Sequence, residues 1–438
     1  MQKVKRLSVL CILVLFVTVV SACGGNNGST GNTNNSEDSS NPSTENTTGA
    51  EKTKVTFWGD WGGEGAKQFE TMADAFNASQ DKYEVEYVVQ EDMITKFLTS
   101  SRSGQAPDIM FWDRWRTSLY APKGVLHPID DFVTEDGIDQ NDFYEEALKE
   151  LSYKDSLYGL PITVDARALF YNKTLFEEKG LTPPTTWEEL RHAARELTVW
   201  DGDKLERAGF SFGPWEYNMY HWQAGGEMIT EDGQTGFNTE AGKQALQLWD
   251  QLLNEDKVYK LGFEQGMGEG TDAFVTGKVA MLNTGPWMIS TYKKYGDELD
   301  FGVVDMPAGP GGKASVMGGF GLVIPEASQE KEGAWAFLKW WTANPENALL
   351  WAKTSFNIPG NKKAEEDPFF QEDPYLKPFL DILDYAQIRP RHPGYSIMET
   401  DALIPNLELF LNGDQSIEDA LEKAEKQGND ILKNNQLE

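Results

Sequence analysis

The fold of this chain is decided by the stretch that begins with VTFW (55–58) and ends with DIMFW (108–112). Both are short apolar runs, and the second is continuous enough for a strand that is buried on both faces. Between them, apolar residues recur at helical spacing across 69–76 and alternate with polar residues across 83–89, and a second helix is expected around 91–102. The order strand, helix, strand, helix, strand predicts an α/β protein with a parallel sheet.

The rest of the chain continues this alternation. Thr186 and Glu189 have the spacing of a capping box, which predicts the start of a helix. Apolar helical faces follow across 245–252 and 334–341. No repeat of fixed period is visible, which excludes a solenoid or a propeller. A length of 438 residues exceeds one compact core and allows two lobes.

The N-terminus predicts export and lipidation. Basic residues precede the apolar run 7–22, which is shorter than the roughly 20 residues of a membrane-spanning helix. Small residues then lead into Cys23, as in a bacterial lipobox, so we expect a lipoprotein signal peptide at 1–22. Residues 24–50 are mostly Gly, Asn, Ser and Thr, and we expect 23–53 to be a lipidated cysteine with a flexible tether. An ordinary signal peptide with an incidental cysteine is the alternative.

The composition excludes several classes of partner. Asp and Glu number 70 against 39 Lys and Arg, and the net charge of −31 repels phosphate backbones and anionic lipids. We therefore expect no nucleic acid partner, and membrane contact through the lipid anchor only. Two cysteines and four scattered histidines predict no metal site, and no cofactor is expected. The protein is expected to be a monomer.

Signals of enzymatic activity are weak. GFSFG (209–213) matches G-x-S-x-G, but Pro214 follows at once, where a nucleophile elbow needs a helix. A pair of carboxylates, which would suffice for a glycosidase, is uninformative among so many acidic residues. The glycine cluster at 262–270 lacks the end of a P-loop. We expect no catalytic residues, and an extracellular glycan-active hydrolase stays as an alternative.

The tryptophans are the most informative feature. Trp249 and Trp341 belong to helical faces and are assigned to packing. Others follow strand ends or lie among glycines, namely Trp58, Trp61, Trp112, Trp115, Trp215, Trp222 and Trp287. An aromatic ring can cover the C–H face of a sugar while polar side chains bind its hydroxyls. The pattern favours a sugar site, with interior packing as the alternative.

Five motifs in order carry a resemblance to a known family. They are APDIMFWDR (106–114), YGLPITVDARALFYNK (158–173), TTWEEL (185–190), FVTGKVAMLNTGPW (274–287) and MGGFGLVIPEAS (317–328). Together the motifs and the regions between them resemble extracellular solute-binding proteins of family 1, the maltose-binding-protein-like sugar receptors of ABC importers. The resemblance covers about 54–430.

The resemblance implies a two-lobed periplasmic-binding-protein-like fold of type II. Each lobe would be a mostly parallel sheet flanked by helices, and a multi-strand hinge would join the lobes. The N-terminal lobe would hold 54–163 and 318–364, and the C-terminal lobe 164–317 and 365–438. A ligand in the cleft that contacts both lobes would favour the closed state.

The resemblance also implies the ligand contacts. Those positions are Asp60, Trp61, Trp112, Asp113, Asp165, Trp215, Asn218, Trp287, Gly319 and Tyr395. Trp287 would be a stacking aromatic, and Gly319 would let the ligand approach a hinge strand closely. The first loop, GDWGGEG (59–65), lacks the lysine of the maltose receptor, so the sugar need not be maltose.

These observations predict a substrate-binding lipoprotein on the extracellular face of a Gram-positive cell membrane. It would capture a carbohydrate, an oligosaccharide by the number of aromatic rings, and deliver it to the permease subunits of an ABC transporter. Because the chain is so acidic, a receptor of the same architecture for a cationic or other non-sugar polar solute is a further alternative.

Overall fold

The computed structural model describes residues 51–267 and 272–435. The strands are β1 Thr53–Gly59, β2 Tyr83–Val89, β3 Ile109–Asp113, β4 Ser152–Tyr153, β5 Ser156–Leu157, β6 Gly159–Pro161, β7 Thr163–Val164, β8 Ala168–Asn172, β9 Val199–Asp201, β10 Lys204–Arg207, β11 Met281–Thr284, β12 Phe301–Val304, β13 Ser315–Val316, β14 Phe320–Val323, β15 Ile358–Pro359 and β16 Ala386–Gln387. The predicted signal peptide, Cys23 and the tether up to residue 50 lie outside the described residues.

Helices alternate with these strands. They are α1 Gly63–Ser79, α2 Met93–Ser103, α3 Thr117–Tyr120, α4 Asp130–Glu135, α5 Glu145–Glu150, α6 Lys173–Lys179, α7 Trp187–Leu197, α8 Tyr217–Gln223, α9 Glu240–Asp250, α10 Ile289–Lys293, α11 Lys331–Thr342, α12 Pro345–Ser355, α13 Pro368–Gln371, α14 Lys377–Leu383, α15 Tyr395–Met398, α16 Ile404–Leu411 and α17 Ile417–Asn434. Over the described ranges, we find no helix that is both long and apolar enough to cross a membrane.

The first lobe is built on a five-stranded sheet in the order β2-β1-β3-β14-β6. As predicted, β1 runs parallel to β2 and β3, so that Phe57 is in register with Tyr87 and Ile109. Strand β14 enters from much later in the chain and is antiparallel to both β3 and β6. The predicted apolar face of α1 is buried against this sheet.

The second lobe departs from the expectation of a mostly parallel sheet. Its central strand β8 is antiparallel to both neighbours, β11 and β12. Parallel pairing appears there in the short pair of β13 with β16 and in isolated bridges such as Ala208 with Val279 and Ser211 with Leu282. Apolar periodicity marks which residues are buried but carries no information on strand direction, so the pattern could not distinguish the two arrangements.

The predicted helix starts and faces are confirmed. Thr186 caps α7 by accepting a hydrogen bond from the backbone N–H of Glu189 at 3.2 Å. The Glu189 carboxylate in turn accepts the backbone N–H of Thr185 at 2.7 Å, one residue before the cap. The apolar faces predicted across 245–252 and 334–341 are buried in α9 with the turn after it and in α11.

Two of the hydrophobic cores follow the two lobes, whereas a third, which includes Ala147, Phe170 and Ile358, has members from both sides of the expected boundaries. Of the first two, one draws on residues between 55 and 162 and between 322 and 351, and the other on residues between 169 and 316 and between 395 and 432. Among the described residues, these two cores have no member in common. The lobe boundaries expected from the sequence fall between these sets, and their exact positions stay a prediction.

Short strands connect the lobes. β7 is antiparallel to β15, and the next residue, Asp165, forms an antiparallel bridge with Gly318. β13, just before that bridge partner, runs parallel to β16. These paired segments lie beside the ends of β3 and β14, and they place residues from distant parts of the chain around one cavity.

Candidate functional site: a cavity between the lobes

A cavity of about 740 Å³ lies beside the bridge between Asp165 and Gly318. Its volume is within the range of about 300–1,000 Å³ that is usual for small-molecule sites. The lining residues are Trp61, Asp113, Trp115, Arg116, Asp165, Arg167, Trp215, Trp287, Gly318, Gly319, Phe320, Asn357, Arg389, Glu399 and Thr400. Aromatic rings and charged side chains therefore face the same space.

Three of the lining tryptophans have the same local structure. Trp115, Trp215 and Trp287 each occupy the middle of a three-residue 3₁₀ turn that leads into a helix. The turns are Arg114–Arg116, Pro214–Glu216 and Pro286–Met288. All three rings line the cavity from these turns.

Two of these turns share a sequence signal. Gly213-Pro214-Trp215 and Gly285-Pro286-Trp287 both read Gly-Pro-Trp, with the glycine extended and the proline at the first position of the turn. Proline fits there because its fixed φ suits a helical turn and its missing N–H has no partner to lose. A side chain on Gly285 would come within 1.9 Å of the Trp287 ring, so the indole packs directly on the glycine backbone.

Trp61 forms an aromatic wall of the first lobe. Its ring packs edge-on against Phe111 and Phe320, with centroids 4.8 and 5.2 Å away. Phe320 in turn stacks on Phe111 at 4.3 Å. The Tyr87 hydroxyl donates to the backbone carbonyl of Trp61 at 2.9 Å and fixes the loop after β1.

On the opposite side, a cation covers Trp287. The guanidinium of Arg167 lies 4.8 Å from the centroid of the Trp287 ring. The same group donates to the Asp165 carboxylate at 2.5 Å. The Arg167 backbone is held by Ser315, whose hydroxyl exchanges two hydrogen bonds with it. The ring and the ion pair therefore form one rigid surface.

The Asp113 carboxylate is stabilised by cations from two segments that are distant in the sequence. Burial raises the pKa of its carboxyl, and the guanidinium groups of Arg116 and Arg389 oppose that shift by stabilising the carboxylate. Arg116 follows β3 in the first lobe, whereas Arg389 follows β16, so the site's electrostatics depend on both lobes being present.

Glu399 is the centre of a buried network in the second lobe. Its carboxylate accepts hydrogen bonds from Asn218 at 3.0 Å, from the Tyr395 hydroxyl at 3.1 Å and from Arg389 at 3.2 Å. Asn218 and Tyr395 are 2% exposed and do not line the cavity. Their expected role as ligand contacts stays a prediction: they lie one layer behind the wall and donate hydrogen bonds to Glu399, which is part of it.

Trp112 is also placed differently from the expectation. It is 0% exposed, its indole N–H donates to Thr117 at 3.1 Å, and its ring packs against Phe97 and Tyr120. A fully buried ring offers no face to a ligand, so Trp112 belongs to the first-lobe core. Asp60 is exposed and lies beside the cavity lining rather than in it.

The remaining expected contacts come together. Trp61, Asp113, Asp165, Trp215, Trp287 and Gly319 all line the cavity. Residues that were not predicted as contacts also line it, namely Trp115, Arg116, Arg167, Gly318, Phe320, Asn357, Arg389, Glu399 and Thr400. Two of the arginines could have been found from their positions in the sequence. Arg116 comes three residues after the predicted contact Asp113, and Arg167 comes two residues after the predicted contact Asp165.

The serine of GFSFG (209–213) takes part in a hydrogen bond with a carboxylate. The Ser211 hydroxyl donates to the Glu264 carboxylate, which also accepts the Tyr259 hydroxyl at 2.9 Å. A side chain on Gly209 would meet the carbonyl oxygen of Ala194 at 1.9 Å, so close packing explains that glycine. Within the described part of the chain, no cluster of His, Cys, Asp and Glu could hold a metal ion.

The sequence and the fold were compared with those of known proteins to find the family of this chain. The profile of bacterial extracellular solute-binding proteins matches residues 71–378. The maltotriose-binding protein of Pyrococcus abyssi is 26% identical over 354 residues, which are 78% of this chain and 74% of that protein. The structure of CpMnBP1 with mannotriose bound has a TM-score of 0.77 at 27% identity and covers 86% of this chain and 100% of its own.

A second solved structure agrees in fold. The cyclic α-maltosyl-1,6-maltose binding protein of Arthrobacter globiformis has a TM-score of 0.74 at 26% identity, covering 87% of this chain and 100% of that one. The fold is thus the two-lobed fold of sugar-binding proteins of this type. The chain belongs to the bacterial extracellular solute-binding protein family.

Proposed function

We propose that this protein captures an uncharged oligosaccharide in the cavity between its lobes and delivers it to the permease of an ABC importer. The observation that carries the proposal is the lining of that cavity, where four tryptophans lie among hydrogen-bonding side chains. Indole rings cover the apolar faces of pyranose rings, and carboxylates, amides and guanidinium groups bind the hydroxyls.

The charges of the lining support an uncharged ligand. Among the described lining residues, three arginines accompany three carboxylates, namely Arg116, Arg167 and Arg389 with Asp113, Asp165 and Glu399. The formal charge of the cavity wall is balanced, although the whole chain carries −31. A site for a cationic solute would need uncompensated carboxylates, so the balance favours a sugar over that alternative.

Named relatives support the same class of ligand. The Pyrococcus protein is named for maltotriose, and the CpMnBP1 structure contains mannotriose. Both are short neutral oligosaccharides, and a cavity of about 740 Å³ is large enough for such a ligand by the usual range of site volumes. We propose an oligosaccharide for this chain without assigning its linkage.

Closure is part of the proposal. We propose lobes of 54–163 with 318–364 and of 164–317 with 365–438, as expected from the sequence. Trp61 and Trp115 would then grip the sugar from one lobe and Trp215 and Trp287 from the other. A ligand that contacts both lobes favours the closed state by its additional binding free energy there.

The N-terminal segment suggests where capture takes place. We propose that Cys23 carries the lipid after removal of 1–22, and that the tether holds a monomeric receptor on the extracellular face of a Gram-positive membrane. Buried acyl chains contribute about 0.8 kcal/mol per CH₂, and stable anchoring takes two such chains or one chain plus a second signal. We propose no catalytic step for this receptor.

A thermal-shift panel tests the proposal. Maltotriose, mannotriose and other neutral oligosaccharides are compared with spermidine, calcium and a trigalacturonate, because a ligand of the native state raises the melting temperature. We expect a concentration-dependent increase with at least one neutral oligosaccharide and none with the charged solutes. Stabilisation by spermidine alone would overturn the proposal in favour of a cationic ligand, and release of reducing sugar from the oligosaccharides would favour the hydrolase.

A further inference from the structure

Arg114 is a buried cation that lies outside the cavity lining. It directly follows β3, between the cavity residues Asp113 and Trp115, and is 0% exposed. Taking a guanidinium out of water carries a large free-energy cost unless its charge and its donors are satisfied. The partners of Arg114 therefore indicate what it holds in place.

Those partners come from three separate segments. Its Nε donates to the Glu150 carboxylate at the end of α5 at 3.0 Å, and its Nη2 donates to the carbonyl of Gly318 at 2.6 Å. Its Nη1 donates to the carbonyl of Thr163. Burial raises the pKa of Glu150 to about 7, and the charge of Arg114 opposes that shift.

Two of these partners lie in the segments that connect the lobes. Thr163 is in β7, which pairs with β15. Gly318 exchanges backbone hydrogen bonds of 3.0 and 3.1 Å with Asp165. One guanidinium therefore links the end of β3 to two neighbouring connecting segments, and Asp165 and Gly318 in those segments line the cavity.

The fit around the guanidinium is close. Gly319 has φ +125°, and a side chain there would come within 2.5 Å of Arg114 Nη1 and of the Thr163 carbonyl oxygen. The glycine thus gives Arg114 room to reach the connecting strands. A buried ion pair is a poor source of stability, since apolar residues of similar size often replace one without loss. Stability alone therefore gives no reason for the ion pair, whereas the contacts of Arg114 with the connecting strands do.

We propose that Arg114, held by Glu150, is a positioning residue for ligand binding, which fixes the two connecting segments relative to Asp113 and Trp115 so that the cavity walls are aligned before the ligand arrives. The inference rests on the proposed function in so far as it concerns ligand affinity. Its effect on the connecting segments can be measured without any ligand.

The test replaces the whole pair by apolar residues in the full-length protein. In the Arg114→Met/Glu150→Met double variant at pH 8, we expect a folded protein with a lowered melting temperature, because the carbonyls of Thr163 and Gly318 lose a buried donor. Hydrogen exchange of the amides of Asp165 and Gly318 should become faster, while exchange in β1 and β2 stays unchanged. The matched control is Arg191→Met/Asp256→Met. It removes a second-lobe ion pair, whose N–O distance is 2.6 Å, at a place outside these segments. Hydrogen exchange in the segments should therefore stay unchanged.

Ligand affinity provides the second measurement. With maltotriose and mannotriose as probes, the double variant should bind about tenfold more weakly, within the usual range of coupling between sites. If the variant does not fold, Arg114→Lys is the substitute. It keeps the positive charge but loses the planar set of N–H donors of the guanidinium, so it should show the same faster exchange. Unchanged exchange at Asp165 and Gly318 in a folded variant would overturn the inference. If the wild type binds neither probe, the choice of these sugars is what fails, and the exchange data still decide the role of Arg114.

Discussion

The guanidinium of Arg167 lies 4.8 Å from the centroid of the Trp287 ring while it donates to Asp165 at 2.5 Å. One face of the indole is therefore covered by a cation that is itself held in place. The part of the ring that stays exposed is the surface available for a sugar ring. Trp287 is thus a rigid platform and not a loose surface residue.

Replacing this platform should affect binding much more than stability. We expect Trp287→Ala to weaken oligosaccharide binding by about tenfold or more, because an aromatic contact contributes about 1 kcal/mol beyond the area that it covers. The melting temperature should change little, since the ring is partly exposed. Isothermal titration calorimetry and thermal unfolding measure the two effects.

The chain offers a matched control for that variant. Trp200 is 38% exposed, lies in β9 outside the cavity and donates to the carbonyl of Lys257. Trp200→Ala should leave the affinity unchanged. Equal losses of affinity in both variants, or a loss of stability in Trp287→Ala that matches its loss of affinity, would mean that Trp287 acts through packing.

Trp112 should show the opposite behaviour. Trp112→Phe removes the indole N–H that Thr117 accepts and leaves a small void in the core, so we expect a loss of about 1–3 kcal/mol in the free energy of unfolding. The affinity of the folded fraction for the oligosaccharide should stay within twofold of the wild type, roughly the scatter expected of independent sites. Denaturant titration measures the stability and calorimetry the affinity. A large loss of affinity at unchanged stability would show that Trp112 contacts the ligand.

Gly319 offers a test of the close contact at the connecting strands. Gly319→Ala should be destabilising for two reasons, a backbone φ of +125° and a contact of 2.5 Å with Arg114. Gly312→Ala has a similar φ of +117° but no atom within 4 Å of the new side chain. The melting temperature of Gly319→Ala should therefore fall further than that of Gly312→Ala. Equal decreases would show that backbone strain alone accounts for both.

The pH dependence of stability should include a contribution from Glu365. Burial raises the pKa of its carboxyl from 4.5 to about 8, and the hydrogen bond from Tyr144 at 2.8 Å opposes this shift. The folded protein then holds a proton that the unfolded chain loses from pH 4.5 upward. This contribution to stability is complete below that pH and is lost as the pH rises through about 8.

In Glu365→Gln the side chain at this position is uncharged at every pH. We expect the variant to gain stability relative to the wild type between pH 5 and pH 9, as measured by thermal unfolding in matched buffers. The exposed neighbour provides the control, because Glu366→Gln should follow the wild-type profile. Parallel profiles for Glu365→Gln and the wild type would contradict the assignment.

The lipid anchor gives a prediction in cells. Cys23→Ser removes the thiol that would carry the acyl chains, so we expect the protein to be released into the medium instead of staying with the membrane fraction. Immunoblots of both fractions measure this. Retention of the variant at the membrane would contradict lipidation at Cys23.

The sequence predicts the local elements well because burial follows a local period. The alternation across 83–89 and the helical face of α1 appear in the structure as expected. Strand direction in the second lobe depends on how distant segments meet, and no local period records it. β8 therefore has antiparallel neighbours where parallel ones were expected.

The same limit explains why some of the expected contact residues do not line the cavity. DIMFW (108–112) supplies four of the five residues of β3, which is buried on both faces, so its pattern does not tell which residue at its end points into the cleft. Trp112 turns inward, and Trp115 reaches the cavity from the 3₁₀ turn that follows. Arg389 was missed because its partner Glu399 becomes its neighbour only through the tertiary fold. Trp215 and Trp287 were expected from the resemblance to the family, and both stand in Gly-Pro-Trp.

A crystal structure of the protein with the neutral oligosaccharide that stabilises it most tests the central claim most directly. The account predicts density for the sugar in the cavity between the lobes, with one pyranose against the exposed part of the Trp287 ring and a contact from Trp61 or Trp115 of the other lobe. A sugar bound elsewhere, or in this cavity without touching any of these rings, would contradict it.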